Sequence, residues 1–448
     1  MRIKGISIIG LGYVGLTTGV CLASRGYYVV GVDIDKEKVR MINNVNPPFY
    51  EPGLEEMLRE VVEKGLFEAT TSYEKAIEDS DISFITVGTP SLPDGSINLD
   101  YVKKASKELG RALRVKKRKG MYHLVTVKST VIPGTTRNIV GRIIERESEL
   151  TLGDELGLAM NPEFLREGTA IRDALNPDRV VIGEYDRKSG DILENLWRTF
   201  YENRVPIVRT SLEAAELIKY ASNALLAMKI SFANLIARLC ERIPGCDVVE
   251  VMNAVGMDHR INPSFLGAGL GFGGSCFPKD LKAIIKFAES LGCDPGLLKE
   301  VLKINEEQPY RAIALARKLI GDLKGAKVAV LGLAFKPGTD DMREAVSIKV
   351  VQALIREGAI VVVHDPVAME NARRIFGDLV EYARTVEDAL RGADLAILVT
   401  EWDEFRRLKP KDFIKLMRNP ALVDGRRIYD PEEFRKAGVK FAAIGLGS

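Results

Sequence analysis

The stretch KGISIIGLGYVGLTTGVCLASRGYYVVGVDID, residues 4–35, decides the fold of this chain. An apolar run from Ile6 to Ile9 leads into GLGYVG, a segment with helical spacing follows as far as Ser24, and a second apolar run ends at Asp33. The spacing predicts a strand, a tight turn, a helix and a second strand. In that context, G-x-G-x-x-G with an acid 18 residues after its last glycine is the pattern of a dinucleotide-binding unit.

Each glycine of this turn has a predicted role in holding a dinucleotide. Gly10 allows the tight turn, Gly12 lets backbone N–H groups approach a pyrophosphate, and Gly15 lets the helix pack closely on the strand. The helix N-terminus then faces the negative phosphates. Asp33 is expected to accept hydrogen bonds from the ribose hydroxyls and to repel a 2′-phosphate, which favours NAD over NADP. The alternative is a bare glycine turn in a sheet.

Two further buried strands are predicted to end in polar turns. ISFITVGTPS, residues 82–91, ends in a turn that contains Thr89, and HLVTVKST, residues 123–130, ends in Ser129 and Thr130. Ligands of open parallel sheets lie beyond the carboxyl ends of such strands. These three side chains are therefore candidate lining residues.

The same pattern returns in the second half of the chain. KGAKVAVLGLAFKPGTDD begins at Lys324, a helical segment SIKVVQALIREG follows, and AIVVVHDP is again a predicted strand. This copy lacks the third glycine of the fingerprint, and residues 335–338 (FKPG) take its place, so a second full NAD site is not expected. A basic loop at the edge of a sheet suits a different phosphate ligand.

A helical region joins the two halves. Thr210 and Glu213 have the spacing of a capping box, and apolar residues then recur at helical spacing from Leu217 to Leu239. They predict one helix of about thirty residues, roughly 45 Å long. A helix of that length commonly spans between domains or pairs with its symmetry mate, so we expect a homodimer through it.

The predicted fold class is α/β, with two Rossmann-like doubly wound parallel-sheet domains joined by a helical domain that contains a long central helix. The predicted domains are residues 1–207, an N-terminal NAD-binding Rossmann domain, residues 208–320, a central helical dimerisation domain, and residues 321–448, a C-terminal Rossmann-like domain.

Composition and charge argue against several classes of protein. Sixty-four Lys plus Arg against 62 Asp plus Glu leave a net charge of +2, which gives no case for nucleic acid or an anionic membrane. The basic run RVKKRK, residues 114–119, is predicted to be a solvated helix end or loop. No apolar run approaches the length of a membrane span, and the chain enters a strand pattern almost at once, so we expect a cytoplasmic protein without a signal peptide.

Cysteine and histidine usage does not favour a metal or disulfide framework. The 5 cysteines show no CxxC spacing, and none of the 3 histidines is paired at ligand spacing, so no metal is expected. A disulfide is not expected in a reducing cytoplasm unless the source is a hyperthermophile. The presence of only two glutamines, Gln308 and Gln352, is a faint hint in that direction.

One cysteine has unusual neighbours in GFGGSCFPKD, residues 271–280. The glycines are expected to let the backbone approach a ligand, and a thiol just beyond them, near Lys279 and Asp280, is a candidate activated nucleophile. The alternative for Cys276 is a small buried hydrophobe. We accept that alternative for the other four, which are Cys21, Cys240, Cys246 and Cys293.

Two pairs of polar residues have helical spacing. Lys219 and Asn223 lie four apart on the predicted long helix, and the alternative to a functional role is a solvent-facing polar stripe. Glu163 and Glu167 in NPEFLREG are also four apart, and the alternative is an acidic first turn of a helix, which the helix dipole favours.

These motifs together resemble the UDP-glucose/GDP-mannose dehydrogenase family. The resemblance rests on GLGYVG, NPEFLREGTA, the Lys219/Asn223 pair, GFGGSCFPKD and FKPGTDDMREA, which follow one another in the family's order over essentially the whole chain. It implies a four-electron oxidation of a primary alcohol to a carboxylate with reduction of two NAD, and a C-terminal domain that binds the UDP end of a nucleotide sugar. The loop FLGAGLGFGGSCFPKD is most similar to the UDP-glucose branch, which implies UDP-glucose as substrate and UDP-glucuronate as product.

The resemblance implies a covalent role for Cys276. It would attack the aldehyde formed by the first hydride transfer to give a thiohemiacetal, and a second transfer would give a thioester that water hydrolyses. Asp280 and Lys219 resemble acid–base partners that act through a water. Lys219 and Asn223 would also stabilise negative charge that develops on the substrate oxygen.

The family's remaining catalytic positions fall on the first half of this chain. Thr130 and Glu163 resemble the residues that orient the hydrolytic water, and Glu167 resembles a residue close to the nicotinamide and the sugar. Which carboxylate acts as the base for hydrolysis stays open. One departure is Ala345, where the family often has serine.

The resemblance also implies where the two ligands bind. The implied cofactor-binding residues are Gly10, Gly12, Tyr13, Val14, Gly15, Asp33, Lys38, Thr89, Pro90, Ser129, Thr130, Glu167, Lys279 and Arg343. The implied substrate-binding residues are Glu163, Phe164, Leu165, Arg166, Lys219, Asn223, Arg260, Phe265, Leu266, Gly271, Phe272, Gly273, Lys336 and Arg426. Arg260 is expected to reach across the dimer and Lys336 to contact the diphosphate, while Arg427 is the alternative to Arg426.

Two other readings of the sequence stay open. Within the family, the alternative is a GDP-mannose or UDP-N-acetylhexosamine dehydrogenase. In a different class, the alternative is a non-catalytic protein that binds NAD and a nucleotide sugar, against which the intact set of Cys276, Asp280, Lys219 and Asn223 argues.

Overall fold

The computed structural model of the chain describes residues 3–447 and has the predicted α/β fold class. It forms two compact units, one up to Ser222 and one from Asn223 onward, and each unit contains one sheet. The chain passes from the first unit to the second inside one long helix, Leu212–Cys240. The division into three domains at residues 207 and 320 stays a prediction.

The first unit contains an eight-stranded sheet built from short runs that are rich in Val, Ile and other apolar residues. Its strands are β1 (Gly5–Ile9), β2 (Tyr28–Val32), β3 (Phe67–Thr70), β4 (Ile82–Ile85), β5 (His123–Val127), β6 (Leu156–Met160), β7 (Val180–Glu184) and β8 (Ile207–Ser211). Their order across the sheet is β3-β2-β1-β4-β5-β6-β7-β8. Neighbours are parallel except β6 and β7, so β7 and β8 run against the rest.

The second unit contains a six-stranded sheet in which all neighbours are parallel. Its strands are β9 (Lys327–Leu331), β10 (Ile360–His364), β11 (Glu381–Tyr382), β12 (Leu395–Leu398), β13 (Ala421–Asp424) and β14 (Lys440–Ala443). The order β11-β10-β9-β12-β13-β14 repeats that of the first six strands of the chain. The echo predicted between the two halves is therefore confirmed as two doubly wound sheets.

The helices of the first unit connect and cover its strands. They are α1 (Tyr13–Ser24), α2 (Lys36–Asn43), α3 (Leu54–Glu63), α4 (Tyr73–Glu78), α5 (Asp100–Lys119), α6 (Arg142–Ser148), α7 (Ala170–Leu175) and α8 (Arg187–Phe200), with a π-helical turn, Thr136–Gly141, before α6. The long helix that follows is α9 (Leu212–Cys240), and its 29 residues match the predicted length.

The second unit carries the remaining helices. They are α10 (Val248–Gly256), α11 (Phe277–Ser290), α12 (Gly296–Glu307), α13 (Tyr310–Ile320), α14 (Val346–Arg356), α15 (Met369–Phe376), α16 (Val386–Leu390), α17 (Asp403–Arg406), α18 (Pro410–Leu416) and α19 (Pro431–Lys436), with a 3₁₀ turn, Gly377–Leu379, after α15. Ala345, the departure from the family's serine, is the N-cap of α14, which begins without a side-chain cap.

The first sheet is covered by apolar side chains on both faces, as is usual for parallel sheets whose strands are connected by helices. Side chains alternate along a strand, so neighbours in β1 take part in different clusters. Ile8 packs in a cluster with Phe84 and Trp197, and Ile9 packs in one with Val30 and Ile85. This burial on two sides explains why the strands read as continuous apolar runs.

The start of α9 differs from the predicted capping box at Thr210 and Glu213. Strand β8 extends through Thr210, and the hydroxyl of Ser211 accepts a hydrogen bond from the backbone N–H of Ala214 at 3.2 Å. Glu213 instead accepts a hydrogen bond of 2.6 Å from Arg137. The cap lies one residue later than predicted because strand pairing continues to the residue directly before the helix.

Helix α9 also corrects the prediction that no segment approaches the length of a membrane span. It is the one helix among residues 3–447 that is long and apolar enough for one, with a mean hydropathy of 1.2 over its best window. Length and composition are weak evidence, since the core helix of a folded protein passes the same test. Within the second unit, the Ser231 hydroxyl donates to a backbone carbonyl at 2.9 Å and Asn234 accepts from the Gly269 N–H at 2.8 Å, as in a helix that packs on protein.

Candidate functional site

The glycine turn between β1 and α1 has the geometry that a bound dinucleotide requires. Gly10 has φ +103°, which L side chains rarely adopt, and a Cβ on Gly15 would overlap the carbonyl oxygen of Gly10 and lie 2.7 Å from the Thr86 hydroxyl oxygen. A Cβ on Gly12 would meet nothing within 4 Å. Gly12 is also the N-cap of α1 and has no side chain to cover the N–H groups of the first turn. The turn is therefore tightly packed on its inner side and open at the helix N-terminus, which fits a pyrophosphate.

Asp33, at the end of β2, is buried and holds this turn. Its Oδ2 accepts hydrogen bonds from the backbone N–H of Leu11 at 3.0 Å and from Lys38 Nζ at 2.9 Å, and its Oδ1 accepts from Asp35 N at 3.0 Å. Carboxylate oxygens can accept more than one bond each, so these contacts leave capacity for ribose hydroxyls. The acceptor oxygens of Asp33 therefore fit the ribose hydroxyls of the NAD predicted from the sequence.

The corresponding turn in the second unit also begins at a glycine with positive φ, but its helix, α14, starts only at Val346. Gly332 has φ +94°, and Asp365 Oδ2 accepts from the N–H groups of Leu333 at 2.7 Å and Ala334 at 3.0 Å and from Trp402 Nε1 at 3.0 Å. Asp365 Oδ1 accepts two further backbone N–H groups. The acid of the second copy is therefore fully used by protein donors.

The polar turns that follow β4 and β5 are joined by hydrogen bonds. The Thr89 hydroxyl donates to the carbonyl of Thr130 at 2.9 Å, and the Ser129 hydroxyl donates to the carbonyl of Val87 at 2.7 Å. Pro90 follows directly in the same turn. These predicted lining residues therefore lie together at the carboxyl edge of neighbouring strands.

A buried ion pair lies beyond β6 in the first unit. Lys219 Nζ on α9 donates to Glu163 Oε1 at 2.9 Å, and the N–H of Leu165 donates to Glu163 Oε2 at 2.6 Å. Burial alone would raise the pKa of Glu163, but the ion pair with Lys219 and the hydrogen bond from Leu165 outweigh it and hold that pKa below its usual value. Glu163 is therefore a carboxylate, although it is almost fully buried.

Two alternatives considered for these residues are wrong. Lys219 and Asn223 are only 3% and 7% exposed, so they do not form a solvent-facing polar stripe. Glu163 and Glu167 belong to an irregular loop, and α7 begins only at Ala170, so they are not the acidic first turn of a helix.

Lys128 is a second buried cation near Glu163 that sequence reasoning missed. Its Nζ donates to Asn161 Oδ1 at 3.1 Å and lies 5.4 Å from the ring centroid of Trp197. Burial lowers the pKa of Lys128 to about 8, with Glu163 opposing the shift and Lys219 adding to it. The signal available in the sequence is a lysine directly after the buried strand β5, where a side chain is enclosed by the next loop.

The other residues of the loop after β6 have protein partners. Phe164 stacks under the Arg179 guanidinium, with 4.1 Å from its centroid to Cζ, while Leu165 is half-buried. Arg166, a predicted substrate contact, is exposed and forms a bidentate pair with Asp173 at 2.9 and 2.7 Å. Glu167 is close enough to Tyr13 to raise the pKa of that phenol, although burial and Glu51 raise it more.

In the second unit, Cys276 occupies the N-cap of α11 and is exposed. Asp280, one helical turn later, is almost fully buried and accepts a hydrogen bond of 2.6 Å from Asn223 Nδ2. Lys279 Nζ lies 2.6 Å from the other carboxylate oxygen of Asp280. The alternative of a buried hydrophobe is therefore wrong for Cys276, whose sulfur meets solvent at the positive end of a helix dipole.

The alternative of a small buried hydrophobe holds for some of the other cysteines. Cys21 and Cys240 are buried, Cys246 is half-buried with its Sγ 3.0 Å from that of Cys240, and Cys293 is exposed in the turn after α11. The prediction of burial is therefore wrong for Cys293. Among residues 3–447, no three His, Cys, Asp or Glu side chains are grouped as a metal site would require.

The glycines before Cys276 make close contacts with protein, whereas the sequence predicted that they let the backbone approach a ligand. A Cβ on Gly271, which has φ +104°, would lie 2.7 Å from Asn305 Oδ1, and one on Gly274 would lie 2.8 Å from the ring of Phe335. A Cβ on Gly273 would overlap the carbonyl oxygen of Glu344. A side chain would not fit at these three positions, because the backbone there packs directly against other chain segments of the second unit.

Asn305 on α12 fixes this segment, and sequence reasoning missed it. Its Oδ1 accepts from the N–H of Phe272 at 2.7 Å, and its Nδ2 donates to the carbonyl of Phe272 at 2.9 Å. The carboxamide therefore substitutes for a strand partner. Phe265 has a left-handed backbone with φ +65°, and Leu266 beside it is buried.

Arg426 and Arg427, the two candidates for a substrate contact, have different partners in the protein. Arg427 is bound to Asp247 at 2.7 and 2.9 Å and to a backbone carbonyl. Arg426 donates to the carbonyl of Val399 at 2.5 Å and to that of Gly271 at 3.4 Å. Arg426 thus lies beside the glycine segment, and its contact with a substrate stays a prediction.

The remaining predicted ligand contacts lie on separate loops of the second unit. Arg260 and Arg343 are exposed and each pairs with an aspartate two residues earlier, Asp258 and Asp341. Lys336 Nζ lies 5.5 Å from the ring centroid of Phe335. Their roles toward a ligand stay predictions.

Comparison with known proteins finds one family along the chain. Family models match residues 4–201 (UDP-glucose/GDP-mannose dehydrogenase family, NAD binding domain), 213–307 (central domain) and 329–431 (UDP binding domain). The chain is 47% identical to the UDP-glucose 6-dehydrogenase AglM of Haloferax volcanii over 96% of this chain and 98% of that protein.

Solved structures agree with these matches. A UDP-glucose dehydrogenase from the hyperthermophilic archaeon Pyrobaculum islandicum matches with TM-score 0.91 and 42% identity, covering 99% of this chain and 98% of that one. A UDP-D-ManNAc dehydrogenase from Pyrococcus horikoshii matches with TM-score 0.85 and 29% identity, covering 99% of each.

The glycine turn yields a prediction with a matched pair of variants. Gly12→Ala should fold normally, because its φ of −76° suits alanine and the space around it is open, but should weaken NAD⁺ binding by at least about tenfold. Gly15→Ala should instead lower the free energy of unfolding by about 3 kcal/mol through overpacking. Denaturant unfolding and calorimetric titration with NAD⁺ measure the two effects. Normal NAD⁺ binding by Gly12→Ala would contradict the assignment of this turn.

The buried ion pair yields a prediction on pH dependence. Because the pKa of Glu163 is lowered, its ion pair stabilises the fold above the ordinary carboxyl pKa, and this contribution is lost as pH falls through the folded pKa. Lys219→Met should destabilise the protein by about 3 kcal/mol at pH 7.5, since it leaves a buried carboxylate without its ammonium. The deficit should narrow toward pH 5, because in the variant the buried Glu163 has lost its ammonium partner and takes up a proton more readily than in the wild type.

Denaturant unfolding between pH 5 and 8 tests this expectation. The control is Glu163→Gln combined with Lys219→Met, in which neither charge is present and the deficit should be smaller and independent of pH. An equal deficit of Lys219→Met at both ends of the range would show that lost packing, rather than the charge, explains the effect.

Proposed function

The chain belongs to the UDP-glucose/GDP-mannose dehydrogenase family, and on that premise we propose that it oxidises UDP-glucose to UDP-glucuronate with two NAD per sugar. In the balanced reaction, the primary alcohol and one water become a carboxylate, two hydrides are removed and three protons are released. The observation that carries the proposal is the exposed thiol of Cys276 at the N-terminus of α11, one turn before the buried carboxylate of Asp280.

The choice of UDP-glucose is supported by graded similarity to relatives of different specificity. A relative named UDP-glucose 6-dehydrogenase is 47% identical, and the solved UDP-glucose dehydrogenase is 42% identical. The solved UDP-D-ManNAc dehydrogenase is 29% identical over the same share of this chain. A GDP-mannose or UDP-N-acetylhexosamine dehydrogenase is the second candidate.

The glycine turn, with Asp33 and Lys38, is proposed to hold NAD. When bound, NAD accepts the hydride that each oxidation removes from the substrate carbon. The other proposed cofactor contacts are Gly10, Gly12, Tyr13, Val14, Gly15, Thr89, Pro90, Ser129, Thr130, Glu167, Lys279 and Arg343. The open space at Gly12 and the acceptor capacity of Asp33 support this assignment.

Cys276 is proposed as the nucleophile that allows the second oxidation. Its Sγ adds to the carbon of the aldehyde, and the carbonyl electron pair moves to oxygen and takes a proton, which gives a thiohemiacetal. Loss of a hydride and a proton then leaves a thioester. Water adds to the thioester carbon, the C–S bond breaks, and the thiolate is restored. The helix dipole of α11 favours the negatively charged sulfur at the first and last of these reaction steps.

Asp280 and Asn223 are proposed to act next to this thiol. The Asn223 amide and the Lys279 ammonium hold the Asp280 carboxylate in one position, which a group that exchanges protons through a water requires. Asn223 and Lys219 are the proposed donors to negative charge on the substrate oxygen. Lys219 is also the proposed acid–base partner.

Glu163 is proposed to orient the hydrolytic water together with Thr130. Its lowered pKa keeps it ionised at neutral pH, so it can accept a hydrogen bond from water. Glu167 is proposed to lie near the nicotinamide and the sugar. The other proposed substrate contacts are Phe164, Leu165, Arg166, Arg260, Phe265, Leu266, Gly271, Phe272, Gly273, Lys336 and Arg426.

A homodimer in the cytoplasm is proposed as the working form. Every exposed side chain of α9 is apolar, and these residues are Leu217, Ala221, Leu225, Phe232, Leu235 and Leu239, the α9 stripe. At 100° per residue they fall within a sector about 80° wide. An apolar stripe of this length is suited to a second copy of the same helix, and the central region, 208–320, is accordingly proposed as a dimerisation domain between domains 1–207 and 321–448.

The oxidation is tested by the amount of NADH formed from a limiting quantity of UDP-glucose. The wild-type protein should form two NADH per sugar, since both oxidations proceed to the acid. Cys276→Ser should form at most one NADH per sugar and no glucuronate, because the aldehyde is not captured. Absorbance at the NADH band and chromatography of the products measure both quantities.

Cys293→Ser is the matched control, because Cys293 is also exposed and lies in the same unit. It should form two NADH per sugar. One NADH in the wild type would indicate an enzyme that stops at the aldehyde, and none would indicate a binding protein or another sugar. Full conversion to the acid by Cys276→Ser would refute the nucleophile.

The dimer is tested by charge placed in the α9 stripe. Leu225 and Phe232 lie within about 20° of each other around the helix, so Leu225→Asp with Phe232→Asp should convert dimers to monomers at micromolar concentration. Sedimentation velocity reports the change. The control is Leu291→Asp, which alters an equally exposed leucine after α11 and should leave the dimer intact. An unchanged dimer in the double variant would exclude the stripe as the interface.

A further inference from the structure

Glu51 is a buried carboxylate in the first unit that the proposed chemistry does not use. It lies in the segment before α3 and accepts three hydrogen bonds. Its Oε2 accepts from the Tyr13 hydroxyl and from the N–H of Gly168 at 2.6 Å, and its Oε1 accepts from the N–H of Ala170 at 2.7 Å. All three donors come from segments distant in sequence, so the carboxylate joins parts of the first unit that no local contact would bring together.

The first of these segments is the glycine turn. Tyr13 follows Gly12 directly and is the first residue of α1. Its ring packs on Phe49 with 4.9 Å between centroids, so the segment that carries Glu51 holds both the face and the hydroxyl of Tyr13. Burial, followed by the neighbouring Glu51, raises the pKa of Tyr13, so its hydroxyl stays a donor throughout the physiological range.

The second segment is the end of the loop after β6. Gly168 and Ala170 close the loop that carries Glu163 and Glu167, and the Gly168 N–H also lies 3.0 Å from the Tyr13 oxygen. The Ala170 N–H is the first of α7, where backbone donors have no partner within the helix. A carboxylate at that position satisfies the donor and fixes where the loop ends.

We propose that Glu51 is a positioning residue that couples occupancy of the glycine turn to the position of the loop 163–170. A ligand at the turn restrains Tyr13, Tyr13 restrains the carboxylate of Glu51, and the carboxylate restrains Gly168 and Ala170. The proposal rests on the proposed function in one respect, because NAD is the ligand assigned to the turn. Through this linkage, cofactor binding prepares the loop that carries Glu163 before the sugar arrives.

Hydrogen–deuterium exchange on the full chain, with and without NAD⁺ and without any sugar, tests the coupling. In the wild type, NAD⁺ should slow amide exchange both at residues 10–15 and at 163–170, by about tenfold at Gly168 and Ala170, as expected for strengthening a charge-assisted hydrogen bond. In Glu51→Gln, NAD⁺ should still slow exchange at 10–15 but should no longer slow it at Gly168 and Ala170, the two amides that Glu51 binds. An amide has one acceptor oxygen and turns a donor toward an N–H group, so the linkage is broken.

Tyr13→Phe provides a second variant that keeps the bonds from Glu51 to the loop. It should retain the slow exchange of Gly168 and Ala170 seen without ligand but lose the further slowing caused by NAD⁺. Glu55→Gln is the matched control, since Glu55 is an exposed carboxylate on α3 paired with Arg59, and it should behave as the wild type does.

Three outcomes would overturn the proposal. Slowing at Gly168 and Ala170 that survives in Glu51→Gln and Tyr13→Phe would mean that the cofactor restrains the end of the loop without Glu51, for example through Glu167. Slowing at 10–15 alone in the wild type would mean that the two segments are not coupled. No slowing at either segment would overturn the cofactor assignment as well, and the absence of an effect at 10–15 distinguishes that result from a failure of the coupling alone.

Discussion

The parallel pairing of β1 with both β2 and β4 is the constraint on which the candidate site of the first unit depends. Parallel strands point in one direction, so the turns that follow them open at the same edge of the sheet. The glycine turn, Thr89 and Ser129 reach that edge from three different strands. Hydrogen bonds between the turns after β4 and β5 then hold the edge as one surface. Strands β7 and β8 run the other way and contribute none of these turns.

The same edge lies over an unusual set of buried charges. Glu163 accepts a hydrogen bond from Lys219, and the charges of both residues affect the pKa of Lys128. Burial is the main reason that the pKa of Lys128 is lowered to about 8, while the charge of Glu163 opposes the shift and that of Lys219 adds to it. Glu163 keeps its negative charge in the interior because Lys219 and the N–H of Leu165 compensate for its burial.

Local patterns in the sequence were sufficient for the fold but not for the contacts that fix the site. The strand–turn–helix unit at residues 4–35 and the length of α9 follow from apolar spacing, which reports burial residue by residue. Glu51 and Gly168 are 117 positions apart, and Asn305 meets Phe272 across 33, so no local spacing relates them. Even the cap of α9 was misplaced by one residue, since strand pairing to a distant segment decided where β8 ends.

The turn at Gly332 repeats the turn at Gly10, so the two copies of the motif can be compared within one chain. Gly10 and Gly332 share a positive φ, and Asp33 and Asp365 both bind the N–H of the residue after that glycine. What the two copies have in common is therefore demanded by the architecture of a doubly wound sheet. What only the first possesses is an acid whose capacity to accept hydrogen bonds is not exhausted, and this is the part of the motif that the doubly wound architecture alone does not require.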